Sequence, residues 1–129
     1  MNKKSILLVE DDRMVASLLS FRLKKHGYHV VTQLNEAMVF NTLKFNKPDI
    51  VVFGLSSSSY AGLNLVERIE KELQLNIPTV IAVSKEQQKK AIASLQLNVD
   101  GIIEKPVVFE DLMKLISSIL YQNIDKSLS

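Results

Sequence analysis

Short runs of apolar residues alternate with longer periodic ones along the chain. Ile6-Leu7-Leu8-Val9 is a continuous apolar run closed by charge, the pattern of a strand buried on both faces. From Arg13 to Lys25, the positions of Met14, Val15, Leu18 and Leu19 predict the buried stripe of an amphipathic helix. Asp12 stands where an N-cap would and Gly27 where a terminator would. His29 to Thr32 reads as a second strand, Ala37 to Phe45 as a helix capped by Asn35, and Ile50 to Phe53 as a third strand. A polar loop from Ser56 to Gly62 follows, and then Leu63, Val66, Ile69 and Leu73 recur at helical spacing. Thr79 to Val83, entered through Pro78, predicts a fourth strand, and Gly101 to Ile103 a fifth. Between them Glu86 to Leu95 predicts a mostly polar helix, and Phe109 to Leu120 closes the pattern as an amphipathic one.

Strand and helix thus alternate five times. Parallel strands need crossover connections, so the pattern implies an α/β fold: a doubly wound, five-stranded parallel sheet with helices on both faces. Residues 1–121 read as one domain, and the polar segment 122–129 as a tail or the start of a linker. Ligands and chemistry in such sheets collect at the carboxyl ends of the strands.

Composition narrows the function classes. The 129 residues are 47% apolar, enough for one layered core. Sixteen Lys and Arg against fourteen Asp and Glu give a formal charge of +2, which offers no basic excess for nucleic-acid binding. The absence of cysteine excludes disulfides and thiolate metal sites. His26 and His29 sit in no ligand cluster, and packing at a surface or strand edge is their expected role. The first apolar run is too short, and too soon acidic, for a signal peptide or membrane span, so a soluble cytoplasmic protein is expected.

Four segments should converge at the carboxyl edge: Glu10-Asp11-Asp12, Gly54-Leu55-Ser56, Ser84-Lys85 and Glu104-Lys105-Pro106. Adjacent carboxylates repel unless a cation lies between them, and a hard divalent ion such as magnesium is one candidate. The alternative is a solvated acidic turn in which Asp12 only caps the next helix.

Taken together, these features resemble the receiver domain of bacterial response regulators over roughly residues 5 to 121. The resemblance rests on ordered features: Glu10-Asp11-Asp12 after an apolar strand, Pro48-Asp49 before the third, Gly62 in the loop after it, Ile77-Pro78 before the fourth, Ser84 at its end, and Lys105-Pro106 after the fifth, followed by Phe109 and Leu112. It implies the flavodoxin-like topology of that family. It also implies that Asp11 and Asp12 match a magnesium-binding acidic pair, Ser84 a switch hydroxyl and Lys105 a phosphoryl-pairing lysine. The position of the phosphate-accepting aspartate falls on Gly54. Asp49 lies five residues earlier, more than ~15 Å away at strand rise, and cannot replace it.

Glycine supplies no nucleophile for phosphoryl transfer and removes a carboxylate from the metal site, so magnesium at Asp11 and Asp12 is expected to be weak or missing. Lys85 follows Ser84 where the family usually has a small residue; its ammonium either lies over Asp11 or Asp12 in place of the missing cation or extends into solvent. Ile102 occupies the place of an aromatic switch residue and is expected to be ordinary strand burial. The expectation is therefore an atypical receiver domain, not an enzyme, without a cofactor, that works as a phosphorylation-independent interaction module. Signalling proteins are its expected partners, through a face formed by the fourth helix, fifth strand and fifth helix and including Lys89, Lys90, Gln96, Asp100, Phe109 and Asp111; a homodimer is a further possibility. The alternative is a phosphoreceiver with a non-standard acceptor. A flavin-binding protein ranks below both, because Glu10-Asp11-Asp12 stands where a phosphate loop would have to be. The four serines Ser56 to Ser59 are read as a flexible polar loop in preference to a phosphate site. With no effector domain in the sequence, the chain is either a stand-alone module or a fragment.

Overall fold

The β-branched and leucine-rich runs form five strands, and the periodic segments between them form five helices. In the computed structural model, which describes residues 3–55, 61–73 and 76–121, these are β1 (Ser5–Glu10), α1 (Arg13–Lys25), β2 (His29–Gln33), α2 (Glu36–Phe45), β3 (Ile50–Gly54), α3 (Ala61–Leu73), β4 (Thr79–Val83), α4 (Glu86–Ser94), β5 (Gly101–Glu104) and α5 (Phe109–Leu120). All strand pairs are parallel, in the order β2-β1-β3-β4-β5. The expected doubly wound five-stranded sheet is therefore the observed one. The serine loop and the segment 122–129 lie outside the described residues.

Alternation along the central strands builds two cores. Ile6 and Leu8, with Val52 and Val80, face α1 and α5 and meet Leu19, Leu23, Phe109, Leu112 and Ile116. Leu7, with Val51, Phe53, Ile81 and Val83, faces the other way and meets Val39, Leu43, Leu63, Val66 and Ile92 of α2, α3 and α4. Continuous apolar runs are what a strand covered on both faces requires.

The capping residues act as their positions suggested. Asp12 Oδ1 accepts from the amides of Met14 (3.0 Å) and Val15 (3.2 Å), and Asn35 Oδ1 from that of Met38 (3.2 Å). Gly27, at φ +94, takes the left-handed turn that ends α1.

Three expectations change. The buried face of α1 is Ala16, Leu19, Ser20 and Leu23, whereas Met14 and Leu18 point outward. Leu18 and Leu19 are one helical step apart and cannot both face the sheet; the small Ala16 and Ser20 let the axis lie close to it, with Leu19 and Leu23 inward. Ala61 and Gly62, read as the end of a loop, open α3. A β-carbon on Gly62 would come within 2.6 Å of Leu55 Cδ2, so a larger residue there would have to displace the tip of the Leu55 side chain on which the first turn of α3 rests. Ile102 is exposed, not buried: β5 is an edge strand, and its neighbour Ile103, on the opposite face, is the one that packs on the α1/α5 core.

These placements predict opposite outcomes for two leucines. Leu112→Ala, at a fully buried position on α5, should cost about 2–5 kcal/mol in urea denaturation. Leu18→Ala should change stability by less than about 0.5 kcal/mol.

Candidate functional site

The register of the sheet decides which side chains meet at its carboxyl edge. Glu10 of β1 stands beside Gly54 of β3, Gly54 beside Ala82 of β4, and Ala82 beside Ile103 of β5. Side chains alternate faces, so Glu10 shares the face of Ile6 and Leu8, and Lys105, two residues beyond Ile103, returns to that of Ile103. Between Glu10 and β5 the row offers only a hydrogen and a methyl group. Two long side chains can meet over that gap, and they do: Lys105 Nζ lies 3.0 Å from Glu10 Oε1.

Glu10 is 2% exposed, and the side chain of Lys105 20%. Such a carboxylate needs both a counter-charge and hydrogen bonds. Oε1 has the ammonium, and Oε2 accepts from the Asp12 amide at 3.0 Å. The carboxylate also fills the volume above Gly54: a β-carbon there would overlap Oε1 and come within 2.8 Å of Cδ. A carboxylate does stand where the sheet would present one, but it comes from the neighbouring strand and is held by Lys105 and a backbone amide.

The predicted site residues are only partly brought together. Gly54 and Lys105 belong to this cluster. Asp12 spends its Oδ1 capping α1, and Asp11 is exposed. Ser84 is half-buried at the end of β4; its hydroxyl donates to the Leu55 carbonyl at 3.4 Å. Lys85 is exposed and makes no ion pair with Asp11, Asp12 or any other described residue, so the cation at the acidic turn is Lys105 and not Lys85. Lys85 does share a small cavity of about 190 Å³ with Ser84, Glu104 and Lys105. Of the residues carrying the expected interaction face, Phe109 is buried under α1, where the Arg22 guanidinium lies 4.0 Å from its ring centroid and the His26 ring packs at 5.2 Å. Asp100 is engaged by the Thr79 amide at 2.7 Å, and Lys89 by Glu104.

Sequence reasoning missed Glu10 as the central carboxylate and Gln88 as a cap. Gln88 Oε1 accepts from the Ser84 amide at 2.6 Å, which fixes the turn into α4. Strand alternation from Ile6 through Leu8 would have pointed Glu10 to the face where position 54 lacks a side chain.

The donors present do not suit a divalent cation. Among the described residues no three His, Cys, Asp or Glu side chains group to hold a metal ion. Glu10 is neutralised by Lys105, Asp12 is turned to helix amides, and Gly54 contributes no oxygen from a side chain. An octahedral magnesium site needs oxygen ligands that are free to face it.

At the rim, Lys89 reaches from α4 to Glu104 of β5 and, at 4.0 Å, to Glu86. The hydrogen bond from Lys89 holds the Glu104 carboxyl below the usual carboxylate range, and the same bond raises Lys89, with partial loss of hydration opposing it.

Comparison with known proteins agrees with this architecture. The family model described as "Response regulator receiver domain" matches residues 6–117. The chain is 26% identical over 106 residues to the alkaline phosphatase synthesis transcriptional regulatory protein PhoP of Bacillus subtilis, covering 82% of this chain and 43% of that protein. It is 32% identical over 118 residues to the transcriptional regulatory protein GlrR of Escherichia coli, covering 92% of this chain and 26% of GlrR. The chain thus spans half or less of the length of these relatives. In fold it is similar to a CheY-like response regulator receiver domain protein from Methanospirillum hungatei, with a TM-score of 0.82, 22% identity, and 97% and 99% of the two chains covered. A response regulator from Thermotoga maritima gives 0.75, 22%, and 92% and 98%. No helix among the described residues is long and apolar enough to cross a membrane.

Two measurements probe the site. Lys105→Met leaves a buried carboxylate unpaired and should cost about 3 kcal/mol; Glu10→Gln in the same background should recover most of that loss, because the pair is then removed together. Independent losses that simply add would contradict the coupling. For the rim pair, the Glu104 carboxyl followed by NMR should titrate below the ordinary Glu range and return towards it in Lys89→Ala. The sign follows from the lowered value: the pair's contribution is complete above the usual carboxylate range and disappears as pH falls through the depressed value. High salt should shrink the shift, since both groups meet solvent.

Proposed function

Because the chain belongs to the response regulator receiver domain family, we propose that it is a receiver in which the acceptor pocket is filled from within, and that it signals by binding partners without being phosphorylated. The observation that carries this reading is the Glu10 carboxylate, seated over Gly54 and ion-paired to Lys105. Position 54 has no nucleophile. The lysine that would meet an incoming phosphoryl group already has an anion. In the acidic turn Asp12 is committed to a helix cap and Glu10 to a backbone amide, and Asp11 alone is left facing outward. In-line transfer to a carboxylate needs an open approach and a metal to neutralise the moving group, and the pocket offers neither.

On this reading Glu10 and Lys105 substitute permanently for the charge balance that a phosphorylated site creates transiently, and the domain keeps one conformation. The partners are signalling proteins, of the kinase or effector type with which receiver domains work.

Among the described residues Glu10 is the candidate for a non-standard acceptor, since it is the carboxylate beside Lys105. Its burial and its two fixed oxygens argue against that role: attack on phosphorus requires an oxygen to leave Lys105 or the Asp12 amide and reach solvent. The decisive test is incubation with acetyl phosphate and magnesium followed by intact mass. The expected result is an unchanged mass for the wild-type protein; a stoichiometric phosphoryl adduct that disappears in Glu10→Gln would overturn the proposal. Gly54→Asp should remain unmodified until it is combined with Glu10→Ala, because the new side chain collides with the Glu10 carboxylate.

A further inference from the structure

The two edges of the sheet are guarded unequally. β5 has four residues, begins with Gly101 and ends at Glu104, which Lys89 reaches across from α4. β2 has five, His29-Val30-Val31-Thr32-Gln33, and pairs with β1 in unbroken register from Ser5 beside His29 to Val9 beside Gln33. It contains no lysine, proline or bulge, the devices that ordinarily keep an exposed edge from pairing with another chain. His29, Val31 and Thr32 are exposed, and valine and threonine both favour a strand.

The ladder fixes which main-chain groups this edge offers. The His29 amide donates to the Lys4 carbonyl at 2.9 Å, so His29, Val31 and Gln33 direct their amides and carbonyls to β1. Those of Val30 and Thr32 turn the other way, where no strand of the described residues lies. Beside the edge, on the α2 face, runs a groove of about 600 Å³, lined by Leu7 and Val31 of the sheet and by Thr42, Asn46 and Lys47. Charge at its amino-terminal end is of one sign. Lys47 lines it, Lys4 precedes β1 next to His29, and neither forms an ion pair among the described residues. Asp49, the acid two residues from Lys47, is held by the Ser5 amide at 2.7 Å.

We propose that the β2 edge receives an extended segment of a partner protein as a sixth strand, with acidic residues at the end of that segment that meets Lys4 and Lys47. The segment's backbone would bond to Val30 and Thr32, and its alternate side chains, apolar and β-branched, would enter the groove over Val31. Nucleic acid fits poorly, because a phosphate backbone supplies acceptors and leaves the outward carbonyls of Val30 and Thr32 without donors. A lipid surface fits poorly as well, since hydrocarbon would leave the same groups unpaired. A second copy of this chain, paired antiparallel through β2, would bring Gln33, Leu34 and Asn35 towards the lysines. The next acid beyond them, Glu36, is already taken by Arg68. The inference stands independently of how the pocket at Glu10 and Lys105 works.

The test uses the full chain, ¹⁵N-labelled, and three synthetic peptides built on one valine–threonine alternation. One carries glutamates at both ends, one carries lysines there, and the third is the glutamate peptide N-methylated along the whole alternation. The glutamate peptide should bind, shift the amides of residues 29–33, and slow hydrogen exchange of the Val30 and Thr32 amides at least tenfold. The lysine and N-methylated peptides should not bind. Thr32→Pro removes an outward donor at a position where an edge strand tolerates proline, and should weaken binding at least tenfold. Lys47→Glu, at an exposed side chain, should weaken it as well while leaving the spectrum of the free protein otherwise in place. Equal binding of the glutamate and lysine peptides, undiminished binding of the N-methylated one, shifts that leave Val30 and Thr32 unprotected, or no shift at millimolar glutamate peptide would each overturn the proposal. So would self-association of the free protein that protects those two amides, or displacement of the peptide from them by a single-stranded oligonucleotide or by phosphatidylglycerol vesicles.

Discussion

A carboxylate with 2% exposure can remain inside a sheet edge only if a cation and hydrogen bonds come with it, and the arrangement of Glu10 follows from that constraint. The ammonium arrives from β5, three strands away, across a row in which Gly54 and Ala82 leave the space open. A side chain at 54 would close that space and push the two charges apart. The glycine is thus more than the loss of a nucleophile; it is the gap through which Glu10 and Lys105 reach one another. Pocket and pairing are two aspects of one geometric fact.

The same economy governs the surroundings. Asp12 is bound to the first amides of α1, Gln88 to the turn before α4, and Ser84 to the carbonyl after β3. Asp12, Gln88 and Ser84 are each tied to a neighbour at the carboxyl edge, while Asp11 is exposed. At the rim, Lys89 joins α4 to β5 through Glu104, a link that solvent and salt weaken but that adds to the same closed arrangement.

Much of the fold was legible because burial on both faces leaves a plain mark. Ile50 to Phe53 and Val80 to Val83 are apolar without interruption, the mark of a parallel strand covered on both faces. The caps Asp12 and Asn35 and the terminator Gly27 were legible for a similarly local reason: each acts within four residues of itself. Where two answers were locally equivalent, local pattern failed. Leu18 and Leu19 are equally apolar, and only the contact of Ala16 and Ser20 with the sheet selects which leucine goes inward. Ile102 and Ile103 are likewise indistinguishable until β5 is known to be an edge strand with one well-covered face.

By itself the sequence determined the alternation of strands and helices, the family, and the glycine at position 54, because these depend on residue type and order. The tertiary structure alone decided that the Glu10 carboxylate fills the volume above Gly54, that Lys105 and not Lys85 pairs with it, and that Met14 and Leu18 of α1 are turned to solvent. Those outcomes depend on the register of β1, β3, β4 and β5 and on how close one helix lies to the sheet. Register and approach are sums over contacts between residues far apart in the chain, and no local segment contains them.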